Sequence, residues 1–281
     1  MSYVTPQEFA SKMIDAGESK IFMSTKDTLI RAYMAGAILA LAAAFSVTIA
    51  VNTGNFLAAS VLFPVGFCML YLLGFDLLTG VFTLAPLAVI AKRPGCTWGG
   101  VFRNWGLVFT GNFAGALTTA VFMAIIFTMA FSQEPNAVGQ KIGKIGEART
   151  LGYAAAGWAG LLTVFIRAVM CNWMVSTGVV AAMMSSSVSG KIMAMWMPIL
   201  VFFYLGFEHS IVNMFLFPSG IMLGGNFTWF DYLAYNEIPV VFGNLVGGLT
   251  FVGGMIYATH YKTSPSRKAG YEKAPVATPA E

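Results

Sequence analysis

Long apolar runs separated by short polar segments set the pattern of this chain. Residues 32–75 contain no Asp, Glu, Lys or Arg, and Val51-Asn52-Thr53-Gly54-Asn55 is a turn signal that divides them into two. The pattern continues to residue 260 and predicts six membrane spans. Their expected bounds are 28–51, 56–91, 105–131, 152–184, 192–223 and 238–260, with a polar connection over 132–150.

Two of these spans carry polar interruptions. The second is too long to cross a hydrocarbon core of ~30 Å as one straight helix, and Gly74–Gly80 places glycines and an acid near its middle. The fifth has Gly206-Phe207-Glu208-His209-Ser210 inside an apolar run. Ionisable groups in such a run are costly and usually functional. We therefore predict that the second and fifth helices are broken, at 74–80 and at 206–210.

The two interruptions belong to an internal duplication. Gly74-Phe75-Asp76 is repeated 132 positions later as Gly206-Phe207-Glu208, and Gly111-Asn112-x-x-Gly115 is repeated at the same offset as Gly243-Asn244-x-x-Gly247. Each copy holds three spans, an odd number, so the second copy must enter the membrane upside down. The glycines of the Gly-Asn-x-x-Gly pairs predict close helix packing.

A pair of broken helices at mid-membrane favours a pore. Breaking a helix leaves amides and carbonyls that only protein or a wet path can satisfy. Helix N-termini carry partial positive charge, which suits an anion. Because one break carries Thr79 and the other His209, the sequence predicts a path for a small anion lined by both.

Composition agrees with an all-α polytopic membrane protein. The chain is 57% hydrophobic and 10% charged. Its three cysteines, Cys68, Cys96 and Cys171, have no spacing typical of disulfide frameworks or thiolate metal sites. Charges before the first apolar run argue against a cleavable signal peptide. We expect a cytoplasmic amphipathic segment over 1–27, a six-span pore domain over 28–261 and a disordered cytoplasmic tail over 262–281.

The distribution of basic residues predicts the orientation. Six crossings put both termini on one side, and most Lys and Arg residues fall on that side. The connection over 132–150 carries the few that fall on the other side, namely Lys141, Lys144 and Arg149. By the positive-inside rule both termini are expected to be cytoplasmic.

Four sets of residues carry a family resemblance, namely Asp76-Leu77-Leu78-Thr79, Cys171-Asn172-Trp173-Met174-Val175, Gly206-Phe207-Glu208-His209-Ser210-Ile211-Val212-Asn213-Met214 and the two Gly-Asn-x-x-Gly pairs. They resemble motifs of the formate/nitrite transporter family, which also includes hydrosulfide channels. The resemblance covers roughly residues 20–262 and implies an aquaporin-like protomer with its own pore, in a homopentamer in the bacterial inner membrane.

The resemblance implies roles for single residues at the centre of the pore. Thr79 resembles the family threonine on the loop that breaks the second helix, and His209 resembles the central histidine. Thr79 could also be a helix-capping hydroxyl. Asn172 is expected to line the pore, with bonding across helices as the alternative. Imidazole titrates near pH 6.5, so His209 could neutralise the anion or hand it a proton, and transport would then be proton-coupled.

Apolar constrictions on both sides of the centre are also implied by the resemblance. Leu77 and Phe202 match a constriction on the periplasmic side, and Phe67, Val175 and Asn172 lie where the cytoplasmic constriction is expected. Phe67 departs from the leucine common among formate channels.

Polar and charged residues near the breaks are expected to support the structure. Asp76 and Glu208 are expected to accept hydrogen bonds that hold the broken segments, because a free carboxylate would repel an anion, and Asn213 is grouped with them. A basic residue that many members carry 16 positions before the asparagine is Ala156 here. The candidates to replace it are Lys144, Arg149 and Arg167.

Other classes of protein fit the sequence less well. An aquaporin-type channel for neutral solutes would need paired Asn-Pro-Ala motifs, which the sequence lacks, and an ammonium channel would need facing histidines. An enzyme is not expected, since no nucleophile or nucleotide loop accompanies His209. No cofactor, metal or nucleic acid is predicted. The expected partners are the lipid bilayer, protons and a small anion, formate first, with nitrite or hydrosulfide as alternatives.

Overall fold

The computed structural model describes residues 3–263 of the chain, and its elements within that range are helices. The last helix is continuous but contains three π-helical segments, Leu233–Glu237, Leu249–Gly254 and Tyr257–Lys262. The helices are α1 Pro6–Phe22, α2 Thr25–Thr53, α3 Phe56–Leu62, α4 Pro64–Leu72, α5 Leu78–Ile90, α6 Trp98–Phe127, α7 Ala137–Ala155, α8 Gly157–Met183, α9 Val188–Tyr204, α10 Ser210–Met222 and α11 Trp229–Lys262.

Four of these helices, α2, α6, α8 and α11, are long and apolar enough to cross a membrane within the described range. Between them lie two pairs of shorter apolar helices with matching lengths. The first pair is Phe56–Leu72, which contains α3 and α4, followed by α5 with 13 residues. The second pair is α9 with 17 residues and α10 with 13. At 1.5 Å per residue, none of the shorter helices reaches the ~30 Å of a hydrocarbon core alone.

The polar connection over 132–150 contains a helix that the sequence did not predict, because Ala137–Ala155 forms α7. Asn136 caps its first turn by accepting a hydrogen bond from the Gly139 amide at 3.0 Å. One face, including Val138, Ile142 and Gly146, is buried against α10 and the segment that follows it. The sequence pattern of this helix is hard to recognise as amphipathic, because several positions of its buried face are glycines rather than large apolar residues.

Several helix ends differ from the bounds drawn around the apolar runs. The third span begins at Trp98 rather than 105, because the Thr97 hydroxyl caps it, and it ends at Phe127. Met129, Ala130 and Phe131 then adopt left-handed backbone angles that cannot continue a helix. The last span begins at Trp229 rather than 238, where Thr228 and Asp231 form a capping box.

The first helix, α1, packs against the rest of the domain. Met13 and Ile14 are fully buried, and Gly17 lies against the Leu84 backbone of α5, where a Cβ would clash. The tail expected over 262–281 lies outside the described residues from 264 onwards.

Close helix pairs surround the two Gly-Asn-x-x-Gly motifs. In α6, Gly111 and Gly115 lie against Ala32 and the Tyr33 carbonyl of α2. In α11, Gly243 and Gly247 lie in the same way against Ala168 and the Val169 carbonyl of α8. The short helices then lock the two halves together, because α10 packs on α2 and α6, while α5 packs on α8 and α11.

Candidate functional site

The candidate site is built around two matching loops that interrupt the short helices. Gly74 and Gly206 have φ of 73° and 64°, in the left-handed region that favours glycine. Their neighbours turn back onto the preceding helix in the same way, since the Phe75 amide bonds the Leu70 carbonyl at 2.9 Å and the Phe207 amide bonds the Phe202 carbonyl at 3.1 Å. Each loop ends at the N-terminus of a 13-residue helix, α5 or α10.

One asparagine holds each loop in place. In α6, Asn112 accepts a hydrogen bond from the Leu78 amide at 2.9 Å and donates to the carbonyls of Asp76 and Ala32. Asn112 is fully buried, so its side chain replaces water for backbone groups that the break leaves unpaired.

The second loop is held by Asn244 of α11 in the same manner. Its side chain accepts from the Ser210 amide at 3.0 Å and donates to the carbonyls of Glu208 and Ala168. The sequence predicted only helix packing for the two Gly-Asn-x-x-Gly motifs. Their shared 132-residue offset with the breaks was the available signal that the asparagines belong to the loops.

Thr79 and His209 meet where the two short helices begin. Thr79 Oγ1 lies 3.2 Å from His209 Nε2, and both side chains are buried. His209 Nδ1 accepts a hydrogen bond from the Val212 amide at 3.3 Å and so caps α10. Since Nδ1 is an acceptor, the neutral ring carries its proton on Nε2 and donates it to the Thr79 hydroxyl. The Thr79 hydroxyl hydrogen then remains available to another acceptor.

Two cavities approach this contact. The larger, about 540 Å³, is lined by His209, Phe202 and the C-terminal part of α2 as far as Gly54. The smaller, about 240 Å³, is lined by α1 and by Leu77 and Gly80, which flank Thr79. Because α1 immediately precedes the N-terminal end of α2, the cavities lie towards opposite ends of that helix.

The comparisons with known proteins show the family of this chain. A sequence profile described as formate/nitrite transporter matches residues 7–258, nearly the whole chain. The chain belongs to the formate/nitrite transporter family.

Relatives within the formate/nitrite transporter family include proteins named for formate. The chain is 38% identical over 207 residues to a probable formate transporter of Methanothermobacter thermautotrophicus, covering 71% of this chain and 73% of the relative. It is 31% identical to the formate channel BtFdhC of Bacillus thuringiensis, covering 95% of this chain and all of the relative. It is 29% identical to the formate channel FocA of Escherichia coli K12, covering 85% and 89%.

Solved structures share the fold. One, described as an FNT family ion channel, aligns with a TM-score of 0.77 at 21% identity and covers 89% of this chain and 98% of its own. Another, described as a pentameric formate channel with formate bound, aligns with a TM-score of 0.69 at 24% identity and covers 83% and 96%.

The basic residues of this family member are distributed unevenly between the cavities. Two of them, Lys141 and Arg149 of α7, line the larger cavity. Lys144 lines a separate polar pocket with Glu134 and Glu147. Arg167 donates to the Tyr153 hydroxyl at 3.0 Å. Lys141 was not among the sequence candidates to replace the basic residue absent at Ala156.

Glu208 is fully buried and surrounded by donors. It accepts hydrogen bonds from Tyr153 at 2.8 Å and from Asn213 at 3.0 Å, and Arg149 lies 3.5 Å away. Asn213 also donates to the Asn236 side chain at 2.7 Å. In α7, burial, followed by the nearby Glu208 carboxylate, raises the pKa of Tyr153 to about 12, so its hydroxyl stays protonated and donates.

Asp76, at the other break, has a simpler environment. Its carboxylate lies 2.6 Å from the Lys20 ammonium of α1, and the side chain is almost fully buried. Each acid of the duplicated Gly-Phe-acid motif therefore pairs with a cation from the helix that precedes its half, Lys20 from α1 and Arg149 from α7.

The remaining residues of the predicted site lie around this centre. Asn172 donates to the carbonyls of Thr79 and Asn244 and accepts from Ser176, whose hydroxyl lies 2.5 Å from that of Thr83. Within the described chain, Asn172 lines neither of the two cavities, and its role in the pore stays a prediction.

The four predicted constriction residues are buried but do not share one cavity. Phe67 and Leu77 line the smaller cavity, whereas Phe202 lines the larger one, where its ring stacks on His209 at 5.7 Å between centroids. Val175 is fully buried and, within the described residues, lines neither cavity. Their constricting role stays a prediction.

Proposed function

We propose that this protein is a channel for small monovalent anions, with formate as the first substrate, and that it is not an enzyme. The observation that carries the proposal is the Thr79–His209 contact at 3.2 Å between two cavities that approach it from opposite ends of α2. The names of the relatives support formate. Nitrite, hydrosulfide and a neutral solute are the competing permeants.

The path runs between the cavities past the paired hydroxyl and imidazole, with Asn172 beside them. An anion that leaves water loses its hydration at a cost of several kcal/mol. The Thr79 hydroxyl and the N-termini of α5 and α10 offer donors and partial positive charge in its place. The apolar side chains of Phe67, Leu77, Val175 and Phe202 set the width and the dewetting barrier of the path.

The architecture that we propose for the membrane has six crossings. The four long helices and the two interrupted pairs form two inverted three-helix repeats, aquaporin-like, over residues 28–261, with both breaks at mid-membrane. The matching Asn112 and Asn244 bonds support this symmetry. Residues 1–27 and the tail over 262–281 lie in the cytoplasm, and the channel is a homopentamer in the bacterial inner membrane.

The experiment that tests the function is uptake of formate and nitrite, side by side, into proteoliposomes. We expect saturable formate flux that protein-free liposomes lack. We expect His209→Phe to abolish it, because phenylalanine neither caps α10 nor bonds Thr79. Glycerol and water flux provide the control for a neutral-solute channel. Formate flux no faster than in protein-free liposomes, or equal flux in His209→Phe, would contradict the proposal.

A further inference from the structure

The larger cavity has far more volume than a small anion occupies. Its volume of about 540 Å³ falls within the range of about 300–1,000 Å³ typical of pockets that bury drug-sized molecules. A path that only conducted formate would not require such a space beside His209.

The charged side chains that line this cavity in the described chain are both cations. Arg149 is partly neutralised by Glu208 at 3.5 Å, but Lys141 has no carboxylate partner within residues 3–263. His209 lies at the inner end. The cavity therefore carries net positive charge and suits a monovalent anion.

Apart from Ser46, the rest of the lining is apolar and rich in aromatic rings. Phe202, Phe203 and Phe207 line the cavity together with Val47 and Val51 of α2, and the rings of Phe202 and Phe203 meet edge to face. Phe202 already stacks on His209, which shows that flat groups pack at this wall. A ligand with a flat apolar body and one negative group would satisfy both the wall and the cations.

The smaller cavity offers no equivalent site. Its volume is about 240 Å³, and its one lysine, Lys20, is already held by Asp76 at 2.6 Å. An aromatic anion should therefore bind at the end of the path that holds the larger cavity and not at the other end.

We propose that the larger cavity is a binding site for amphiphilic monovalent organic anions, namely a flat aromatic ring bearing one sulfonate or carboxylate. The negative group lies between Lys141 and Arg149, and the ring packs against Phe202, Phe203 and Phe207. A bound molecule covers His209 and blocks small-anion passage from this end. The block, but not the binding, rests on the channel function proposed above.

Binding is tested by calorimetry on the purified full-length protein with benzenesulfonate, which is ionised throughout the usable pH range. The neutral benzenesulfonamide has the same shape and should bind more weakly. Removing one charged hydrogen bond weakens binding by about tenfold or more, so Lys141→Gln should show that loss. Lys144→Gln, on the same helix but outside this cavity, should bind like the wild type.

Sidedness is tested in vesicles of determined orientation. Benzenesulfonate should slow formate flux from the α7 side and leave it unchanged from the α1 side. Absence of saturable binding, equal binding of the sulfonamide, or equal losses in Lys141→Gln and Lys144→Gln would overturn the proposed site, and block from both sides would overturn its position. Binding in a protein that fails to transport formate would instead refute the channel function while leaving the site intact.

Discussion

His209 takes part in two hydrogen bonds with opposite requirements. Nδ1 must accept from the Val212 amide to cap α10, while Nε2 faces Thr79. An imidazolium has no acceptor, so protonation of the ring must release the cap. Proton uptake at this residue is therefore coupled to the N-terminus of α10, which is also one wall of the proposed path.

Asparagine separates capping from titration, because it is a good N-cap but carries no proton equilibrium. We expect wild-type formate flux to rise as the pH falls, because a lower pH favours the imidazolium form of His209. His209→Asn should retain part of the flux and lose this rise, after subtraction of the flux through protein-free liposomes. Parallel pH profiles for the two proteins would show that the histidine acts only as a polar structural residue.

Asn112 and Asn244 bond the backbone groups of the two loops, so we expect their removal to lower the stability of the protein strongly. Asn112→Ala would leave the Leu78 amide and the Asp76 carbonyl of the loop without this partner, at ~1–3 kcal/mol each. We expect a large fall in the thermal unfolding midpoint in detergent, and a similar fall for Asn244→Ala. Thr118→Ala, which loses only a bond within α6, is the control. A midpoint as high as that of the control would contradict this assignment.

The sequence predicted Thr79 and His209 as partners because each lies in a break and the duplication sets the breaks face to face. It did not predict Asn112, Asn244 or Lys141 in the site. An asparagine beside two glycines indicates packing as readily as capping, and the position of Lys141 depends on how a polar helix folds over the domain, which no local pattern encodes.

At the scale of elements, the similarity between the two halves of the duplicated sequence extends beyond the apolar helices. Both halves begin with an additional helix, α1 or α7, that packs on the short helix after the break and supplies a cation to its acid. The sequence pointed to the breaks because glycine and carboxylate interrupt apolar runs there. It did not indicate α7, since glycine-based packing leaves a weak hydrophobic signal.

The Lys20–Asp76 pair tethers α1 and should be costly to break from one side. Lys20→Met would leave a buried carboxylate without its cation, at about 3–5 kcal/mol. Replacing both residues, Lys20→Met with Asp76→Leu, should recover most of that loss. Chemical unfolding of the two variants and the wild type measures the difference. Equal destabilisation by the single and double variants would mean that the pair contributes through packing alone.

At the scale of the whole molecule, the single chain leaves large apolar faces uncovered. Phe102, Phe122, Ile126 and Trp158 are all at least 60% exposed. Lipid or a neighbouring copy must cover them.

The homopentamer proposed above should survive mild detergent. Native mass spectrometry of the purified protein should show a dominant species of five times the chain mass, with lower species appearing only as the detergent is made harsher. A monomer as the dominant species in mild detergent would contradict the expected assembly.

The dependence of each break on an asparagine also constrains how the protein is made. Asp76 and Glu208 each lie 36 residues before the asparagine that bonds their carbonyl. During synthesis, each interrupted helix leaves the ribosome before the group that satisfies its loop. Neither piece of the interrupted helix is long enough to remain stable in lipid alone. We therefore expect the insertion of each interrupted pair to be incomplete until the next long helix, α6 or α11, has been made.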